Sequence, residues 1–202
     1  MTCLAVDTSG NHLTLLLLRN GEVVQSYYND VALKHSLTLM PEIENLLEKS
    51  NIALNDIDVF CAVVGPGSFT GIRIGVSTVK ALAYALGKKV LAVTSFDVLA
   101  YNTNDGNAIT VIDARHDNFY VCGYKDWKIF IKPCFMGLEE VKAVTQNYPI
   151  VSDSKVNLDC TVASLLIGLE NAVKEKLHLA SDDIESLLPL YAKKSQAEEE
   201  RK

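Results

Sequence analysis

A glycine-rich segment, Gly65 to Gly75, constrains the fold of this chain more than any other feature of its sequence. It follows the short apolar run 58–64, which is rich in β-branched residues and flanked by turn formers, as a buried strand is. It precedes a stretch without proline, 72–86, that ends at Gly87, a residue type that commonly terminates helices. The segment is therefore predicted to be a strand–turn–helix unit, in which backbone N–H groups point at an anion or at another backbone.

Two common phosphate-binding motifs do not fit the spacing of this segment. A P-loop needs a lysine followed by Ser or Thr at the helix start, whereas Ile72 and Arg73 follow Gly71 here. The dinucleotide-binding fingerprint is G-x-G-x-x-G, and the interval between Gly67 and Gly71 is one residue too long for it. A tight turn that docks a helix closely on a sheet is the alternative, and the glycine content alone leaves it open.

Two apolar helices are predicted, at 36–50 and 72–86, with Ser36 as the N-cap of the first. The first carries an apolar stripe opposite a charged face, and the stripe consists of Leu39, Met40, Ile43, Leu46 and Leu47. The second is apolar over most of its circumference, with one face of mostly small residues, Gly71, Gly75, Thr78, Leu82 and Ala85, and a neighbouring face of Ile72, Val76, Val79, Ala83 and Leu86. Such helices either cover their own sheet or meet a second subunit, and the pattern permits both.

Charge and length limit the functions open to the chain. Its 202 residues carry a net charge of −6 with a pI near 5.2, which argues against a broad nucleic-acid-binding face on this chain alone. The longest apolar stretch, 13–18, is strand-sized, and the amino terminus has the pattern of a first strand and not of a targeting signal. The five cysteines are widely spaced and mostly lie in apolar runs, so we expect reduced core residues in a cytoplasmic protein.

The pattern of predicted elements repeats once along the chain. Three strands, a helix, a strand and a helix fill the first half, and the same order restarts after the turn-forming run 102–107. Asp7 and Asp113 end the first strand of each half and would lie at equivalent places. The repeat predicts an α/β fold of two-lobed actin/Hsp70/sugar-kinase-like architecture, each lobe β-β-β-α-β-α, with an N-terminal lobe at 1–104 and a shortened C-terminal lobe with a charged tail at 105–202.

Four segments together resemble the bacterial TsaB (YeaZ) family: Gly65–Gly75, the turn Asp113-Ala114-Arg115, the helix start His35-Ser36 and the closing run 190–197. The resemblance covers almost the whole chain. It implies a role in making threonylcarbamoyladenosine beside the anticodon of tRNAs that read codons beginning with adenine. In that system a TsaB-type subunit is similar in fold to the catalytic subunit TsaD, pairs with it without being the catalyst, and is joined by the ATPase TsaE.

The family pairs through its two helices. The resemblance therefore implies a partner surface at Leu39, Met40, Ile43, Leu46, Leu47, Gly71, Ile72, Gly75, Val76 and Val79, beside the motif turn Gly65, Pro66, Gly67, Ser68, Phe69, Thr70 and Arg73. Exposed apolar helices would be a liability without a partner, so we expect a homodimer through the same surface when TsaD is absent. Arg73 lies in the first turn of a helix, where the dipole disfavours a cation, so we expect a carboxylate of this chain or of a partner to face it.

The residues themselves fit a non-catalytic subunit without a cofactor, which would meet tRNA only within the complex. The four histidines include neither a His-x-x-x-His pair nor an HExxH motif, so neither a metal site nor a metalloprotease is expected. The turn Asp7-Thr8-Ser9 lacks the glycine that lets a backbone approach a phosphate in actin-like ATPases. Asp7 and Asp113 are either vestigial nucleotide-side residues or, the preferred interpretation, caps of their own turns. The rival hypothesis is an actin-like-fold small-molecule kinase or ATPase that uses Asp7 or Asp113.

Overall fold

The computed structural model describes residues 1–31, 34–145 and 148–192, which form two lobes, each built on a five-stranded mixed sheet. The first sheet contains β1 (Thr2–Asp7), β2 (Leu13–Arg19), β3 (Glu22–Tyr28), β4 (Val59–Val63) and β5 (Lys89–Val93). Its helices are α1 (His35–Lys49), α2 (Phe69–Leu86) and α3 (Ser95–Ala100). The strand order is β3-β2-β1-β4-β5, in which β1, β2 and β3 pair antiparallel while β1, β4 and β5 pair parallel.

The second sheet repeats this topology. It contains β6 (Ala108–Asp113), β7 (Asn118–Lys125), β8 (Lys128–Gly137), β9 (Ile150–Ser152) and β10 (Thr161–Val162). Helix α4 (Leu138–Val144) lies between β8 and β9, and helix α5 (Leu165–Lys176) follows β10. Its order, β8-β7-β6-β9-β10, and its strand directions match those of the first sheet element by element. Short 3-10 helices lie at Leu54–Asp56, Leu177–Leu179 and Ile184–Ser186. The predicted two-lobed α/β architecture is confirmed.

The two lobes differ between their fourth and fifth strands. In the first lobe, β4 leads through the glycine-rich turn into the long helix α2, whereas residues 153–160, between β9 and β10, form bends and no helix. Helix α5 begins only at Leu165, because Thr161 and Val162 pair with β9 and Ser164 caps the helix. The second lobe therefore lacks a counterpart of α2.

The leucine-rich strand β2 shows why the first sheet is covered on both faces. Leu13, Leu15 and Leu17 belong to the core cluster beneath α1 and α2, while Leu16 and Leu18 belong to the cluster beneath α5. Successive strand residues point to opposite faces, so an apolar run without alternation requires a helix layer on each side. The first lobe is accordingly a helix–sheet–helix sandwich.

The apolar residues predicted for a partner surface lie mostly in the core of the chain itself. Exposure is at most 6 % for Leu39, Ile43, Leu46, Leu47, Ile72, Val76 and Val79, and Gly71 and Gly75 are also buried. They pack on the first sheet together with residues such as Leu4 and Phe60. Met40 alone of the set is exposed, at 39 %. For these side chains the prediction needs correction: the two helices use them to cover their own sheet.

The two helix starts differ from the expected ones. Helix α1 begins after Lys34, with no side-chain cap, and Ser36 is an exposed residue of its first turn, so the predicted cap is wrong. Helix α2 begins at Phe69, three residues before the expected start, because Ser68 Oγ accepts the N–H of Gly71 at 3.2 Å. The motif turn is therefore partly the first turn of α2.

The last elements of the chain return to the first lobe. Helix α5 packs Leu169, Ala172 and Val173 on the first sheet, and Leu187 lies in the core beneath α1 and α2. The division into 1–104 and 105–202 separates the two sheets, but it assigns to the second lobe α5 and the following 3-10 helices, whose core contacts are mostly with the first sheet. The physical reason is the second apolar face of the first sheet, which needs its own helix layer.

A buried carboxylate joins the lobes. Asp97, in α3, accepts hydrogen bonds from the Thr94 N–H at 2.8 Å and from the Tyr124 hydroxyl of β7 at 3.0 Å. Lys176 Nζ, at the end of α5, lies 2.6 Å from the same carboxylate. Burial and the Asp97 charge raise the pKa of Tyr124, which keeps the hydroxyl protonated as a donor. This network fixes both lobes around α3.

Candidate functional site

A cleft of about 820 Å³ lies between the lobes, and both first-strand aspartates line it. The first lobe contributes the β1–β2 turn and part of the glycine-rich turn, and the second contributes the β6–β7 turn and Asp153. The structure thus brings together Asp7 and Asp113, which lie 106 positions apart in the numbering of the chain. Equivalent strand ends of the two sheets face each other across the cleft.

Asp7 is held within the fold by its own neighbours. It is 2 % exposed, its Oδ1 accepts the N–H of Ser9 at 2.8 Å, and its Oδ2 lies 3.1 Å from Nε2 of His12. Burial alone would raise the pKa of Asp7. The charge and hydrogen bond of His12 and the hydrogen bonds from Ser9 outweigh burial, so the pKa of Asp7 lies below its usual range. Burial lowers the pKa of His12, yet Asp7 and Asp153 bring it above its ordinary value. The two side chains form a buried ion pair.

Asp113 makes the same local bond in a different setting. Its Oδ1 accepts the N–H of Arg115 at 2.8 Å, which matches the bond between Asp7 and Ser9, but Asp113 is exposed. Arg115, His116 and Asp117 all have positive φ angles, between 54° and 67°, a conformation that L-residues adopt at a cost. Both aspartates thus make the turn-capping bonds that the preferred interpretation requires.

The cleft is acidic. Besides Asp7 and Asp113, it is lined by Asp153, whose pKa is raised by burial and by the nearby charge of Asp113. Arg115 is the cationic side chain that lines it from the second lobe. A phosphate group entering this cleft would meet more negative than positive charge, so it would need an accompanying cation.

The glycine-rich turn contacts another backbone. The N–H of Ser68 donates to the carbonyl oxygen of Ser9 at 2.6 Å, and Thr8 Oγ1 donates to the carbonyl oxygen of Gly71 at 2.7 Å. A Cβ at Gly67 or Gly71 would collide with the carbonyl oxygens of Ser9 or Thr8. The close-docking alternative left open by the sequence therefore describes this turn, because its donors and its lack of side chains serve the β1–β2 turn.

Gly75 and Gly65 complete the docking of α2. A Cβ on Gly75 would collide with the hydroxyl of Thr8, so a third small residue of the helix lies against the same turn. Gly65 has a φ of 103° and its carbonyl oxygen accepts the N–H of Ser95 at 2.9 Å, which ties the turn to the start of α3. Pro66 and Thr70 line the interlobe cleft.

The outward face of α2 borders an open groove. Its exposed positions follow helical spacing and are mostly small: Thr70, Arg73, Ser77, Ala81 and Tyr84. The groove, about 510 Å³ in volume, lies between this face and Ser36 of α1. Beside it, Leu37, Met40 and Phe69 expose 74 %, 39 % and 53 % of their surface. These side chains, and not the buried stripe, are available to a partner.

Arg73 has aromatic neighbours instead of an acidic one. Its guanidinium lies 3.8 Å from the centroid of the Phe69 ring, and its Nε donates to the hydroxyl of Tyr191 at 2.9 Å. Among the ion pairs of residues 1–31, 34–145 and 148–192, none involves Arg73. The expected carboxylate of this chain is not in that part of the structure.

Sequence reasoning missed His12, His35 and Ser95 as residues of the cleft. His12 follows Asp7 by five residues and returns to it through the hairpin, a relation that the predicted β1–β2 pair could have shown. His35 donates through Nε2 to the carbonyl oxygen of His12 at 2.8 Å, while its Nδ1 and the hydroxyl of Ser95 have no partner among the described residues. No short-range sequence signal marks His35 or Ser95 as part of the cleft.

The described ranges hold no group of three or more His, Cys, Asp or Glu side chains placed to bind a metal ion. Their helices include none with the length and apolarity to cross a membrane. All five cysteines are free, and burial raises the pKa of the Cys3 thiol to about 12, so it is neutral at physiological pH.

The architecture and the cleft define a protein of the actin-like class with two α/β lobes. The family model described as TsaD, tRNA N6-adenosine threonylcarbamoyltransferase, matches residues 29–177. The solved structure of YeaZ from Pseudomonas aeruginosa superposes with a TM-score of 0.76 at 26 % identity, over 94 % of this chain and 99 % of that one. Because the family model covers most of the chain, the chain belongs to that family, as a member of its TsaB (YeaZ) group.

Curated relatives are similar over a shorter range. The tRNA threonylcarbamoyladenosine biosynthesis protein TsaB of Bacillus subtilis is 38 % identical over 127 residues, which make up 62 % of this chain and 56 % of that protein. The TsaB protein of Haemophilus influenzae is 31 % identical over 125 residues, or 59 % of this chain and 52 % of that protein. The chain thus spans about half the length of the curated relatives that it matches.

Proposed function

We propose that this chain is a non-catalytic partner and activator of a TsaD-type subunit. The reaction is threonylcarbamoyl transfer to the adenosine next to the anticodon of tRNAs that read codons beginning with A. The proposal is supported by the relatives named as biosynthesis proteins of this modified nucleoside and by the family model named for the transferase. A TsaE-type ATPase would complete the assembly, which would act in the cytoplasm, and tRNA would be met only within it.

The internal hydrogen bonds of the β1–β2 turn support the proposal that this chain is not the catalyst. In an actin-like nucleotide site this turn faces phosphate. Here its Asp7 is paired with His12, and the carbonyl oxygens of Thr8 and Ser9 lie against the glycine-rich turn. The N–H of Ser68, which could have met an anion, donates to Ser9. Groups committed to internal bonds are costly to redirect to a ligand.

The outward face of α2 is the surface that fits a partner. Small residues at helical spacing, such as Ser77 and Ala81, let a second helix approach closely, and exposed Leu37 and Phe69 supply apolar contact at the edge. Arg73, which has no carboxylate within 4.0 Å in the described part of the chain, offers its charge to an acidic partner group. The same face would close a homodimer about a two-fold axis when the TsaD-type subunit is absent.

The test compares two alanines on exposed helix positions. Ala81→Arg places a large cation on the outward face of α2, and Ala143→Arg places it on α4, away from that face. Both variants should fold like the wild type. Only Ala81→Arg should weaken co-purification with the TsaD-type subunit, by at least tenfold in Kd, and lower tRNA modification in the reconstituted reaction to the same extent.

Two results would overturn the proposal. One is unchanged pairing and activity of the Ala81→Arg variant. The other is binding and hydrolysis of Mg-ATP by the purified chain alone, measured by calorimetry and phosphate release, which would favour the rival kinase or ATPase.

A further inference from the structure

The end of the β7–β8 hairpin places like charges opposite each other. Lys125 and Lys128 are cross-strand partners, both exposed, on either side of the turn Asp126-Trp127. Within the described ranges neither lysine has a carboxylate within 4.0 Å. Lys132, further along β8, is exposed and equally without an ion pair. Directly opposed like charges destabilise a sheet, so this pair is unfavourable unless an anion lies over it.

Aromatic rings are held in place beside these lysines. Phe130 is 45 % exposed, and its ring packs on that of Tyr148 with 4.9 Å between centroids. Trp127 is 40 % exposed and is stacked on Tyr101 at 4.5 Å, with 18° between the ring planes. The backbone N–H of Trp127 donates to the carbonyl oxygen of Gly106 at 3.3 Å, which anchors the turn. The rings are thus braced from one side while part of each remains open to solvent.

The location suits a contact with an extended ligand. Strand β8 is an edge strand of the second sheet, and the β7–β8 hairpin belongs to the second lobe, whereas α1 and α2 belong to the first. Positive charge here stands out in a chain with a net charge of −6, because the segment 125–132 holds three lysines and a single aspartate. Cationic side chains next to fixed aromatic faces bind phosphates and stack unpaired bases, whereas an apolar protein partner needs no such charge.

We infer that the β7–β8 hairpin of this chain contacts single-stranded RNA, with Lys125 and Lys128 on phosphates and Phe130 or Trp127 stacking on an unpaired base. The inference rests on the proposed function, which brings a tRNA to the assembly, and gives this chain a direct part in holding it. An acidic protein segment is the competing occupant. It would use the lysines but gain little from the aromatic faces.

The experiment uses a fluorescently labelled anticodon stem-loop RNA and measures its Kd by anisotropy. It is performed on the assembly with the TsaD-type and TsaE-type subunits and on the chain alone. Lys125→Gln/Lys128→Gln should raise Kd about tenfold at 0.1 M salt and flatten its salt dependence, because two phosphate contacts are lost. Phe130→Ala should raise Kd about fivefold or more without changing the salt dependence. Lys155→Gln, on the exposed loop between β9 and β10, is the control for loss of a lysine away from the hairpin and should bind like the wild type.

Assembly is scored separately by size-exclusion chromatography. Failure of the wild-type chain to assemble would refute the proposed function, while the RNA affinity of the chain alone would still test the hairpin. If both hairpin variants bind the labelled RNA with the same Kd as the wild type, the inference is overturned. Loss of assembly in the lysine variant with unchanged RNA affinity would overturn it in favour of the acidic protein partner.

Discussion

The turns that follow β1 and β6 are built alike and sit in opposite surroundings. In each, an aspartate at the end of the central strand accepts the N–H of the second residue after it, at 2.8 Å in both cases. Asp7 is buried and paired with a histidine, whereas Asp113 is exposed, and the backbone after it passes through three residues of positive φ. The repeated unit supplies the bond but not its environment.

The difference arises from α2. Its glycine-rich start lies on the β1–β2 turn through Ser68 and Gly71, which shields Thr8 and Ser9 from water. The second lobe has bends at 153–160 in place of this helix, so within the described residues the β6–β7 turn has no counterpart of α2 over it. The presence or absence of α2 therefore determines whether an aspartate turn is buried in the core or exposed to solvent.

The largest effect is expected when α2 is separated from the β1–β2 turn. Gly71→Ala forces a Cβ against the carbonyl oxygen of Thr8 and disturbs the Thr8–Gly71 hydrogen bond, so we expect a loss of about 3 kcal/mol or more in the free energy of unfolding. Gly137→Ala, at the second lobe's α4 N-cap with ordinary van der Waals space, should lose less than about 1 kcal/mol. Urea denaturation measures both, and equal losses would contradict the docking role of the glycine.

Matched substitutions of the two aspartates give the next largest effect. Asp7→Asn leaves His12 without its charged partner in a buried site and should destabilise the chain by about 2 kcal/mol. Asp113→Asn keeps an oxygen for the Arg115 N–H at an exposed turn and should change stability by less than about 0.5 kcal/mol. Thermal and urea unfolding check the pair, and a similar loss in both variants would show that burial does not distinguish the turns.

The pH dependence of stability tests the buried ion pair between Asp7 and His12. The pKa of His12 is raised in the fold, so its contribution is complete below the unfolded value near 6.5 and is lost as pH rises through the folded value. The pKa of Asp7 is lowered, so its contribution is present above its unfolded value near 4 and is lost as pH falls through the folded one. The stability difference between wild type and Asp7→Asn should therefore be largest between about pH 4 and 6.5 and shrink on either side. Urea titrations over pH 3 to 9 measure it, and a difference that is flat across this range would argue against the ion pair.

The smallest expected effect concerns the uncovered turn. Arg115→Gly relieves a positive φ of 67° and should raise the free energy of unfolding by about 0.5 kcal/mol, since glycine adopts this conformation readily. Arg19→Gly, at the exposed end of β2, should instead lose about 0.5 kcal/mol because glycine weakens a strand. Differential scanning calorimetry resolves the sign, and destabilisation by Arg115→Gly would mean that its side chain holds the turn.

Much of the architecture was readable from local patterns. The apolar strands and the repeat after 102–107 led to the observed two-lobed order, because period and turn chemistry are properties of short segments. The Gly67–Gly71 interval also excluded the dinucleotide-binding fingerprint, and the absence of a lysine after Gly71 excluded a P-loop. The equivalent places of Asp7 and Asp113, each at the end of the first strand of its half, also followed from the repeat.

Orientation could not be read in the same way. A stripe such as Leu39, Ile43 and Leu46 looks the same whether it faces its own sheet or a partner, and only the packed lobe shows that it is core. The return of α5 to the first lobe depends on contacts between segments that are distant in the chain, which periodicity does not encode.

The repeat, the two aspartate turns and the close approach at the glycine-rich segment can be predicted from local sequence, since each depends on the backbone and side-chain chemistry of a few neighbouring residues. The packing of the folded chain is needed to show which of the two turns is buried, which helix faces remain free and what the glycines lie against. Those outcomes depend on which surfaces meet when the layers pack, and burial, unlike hydrogen bonding within a turn, belongs to the whole assembly of elements.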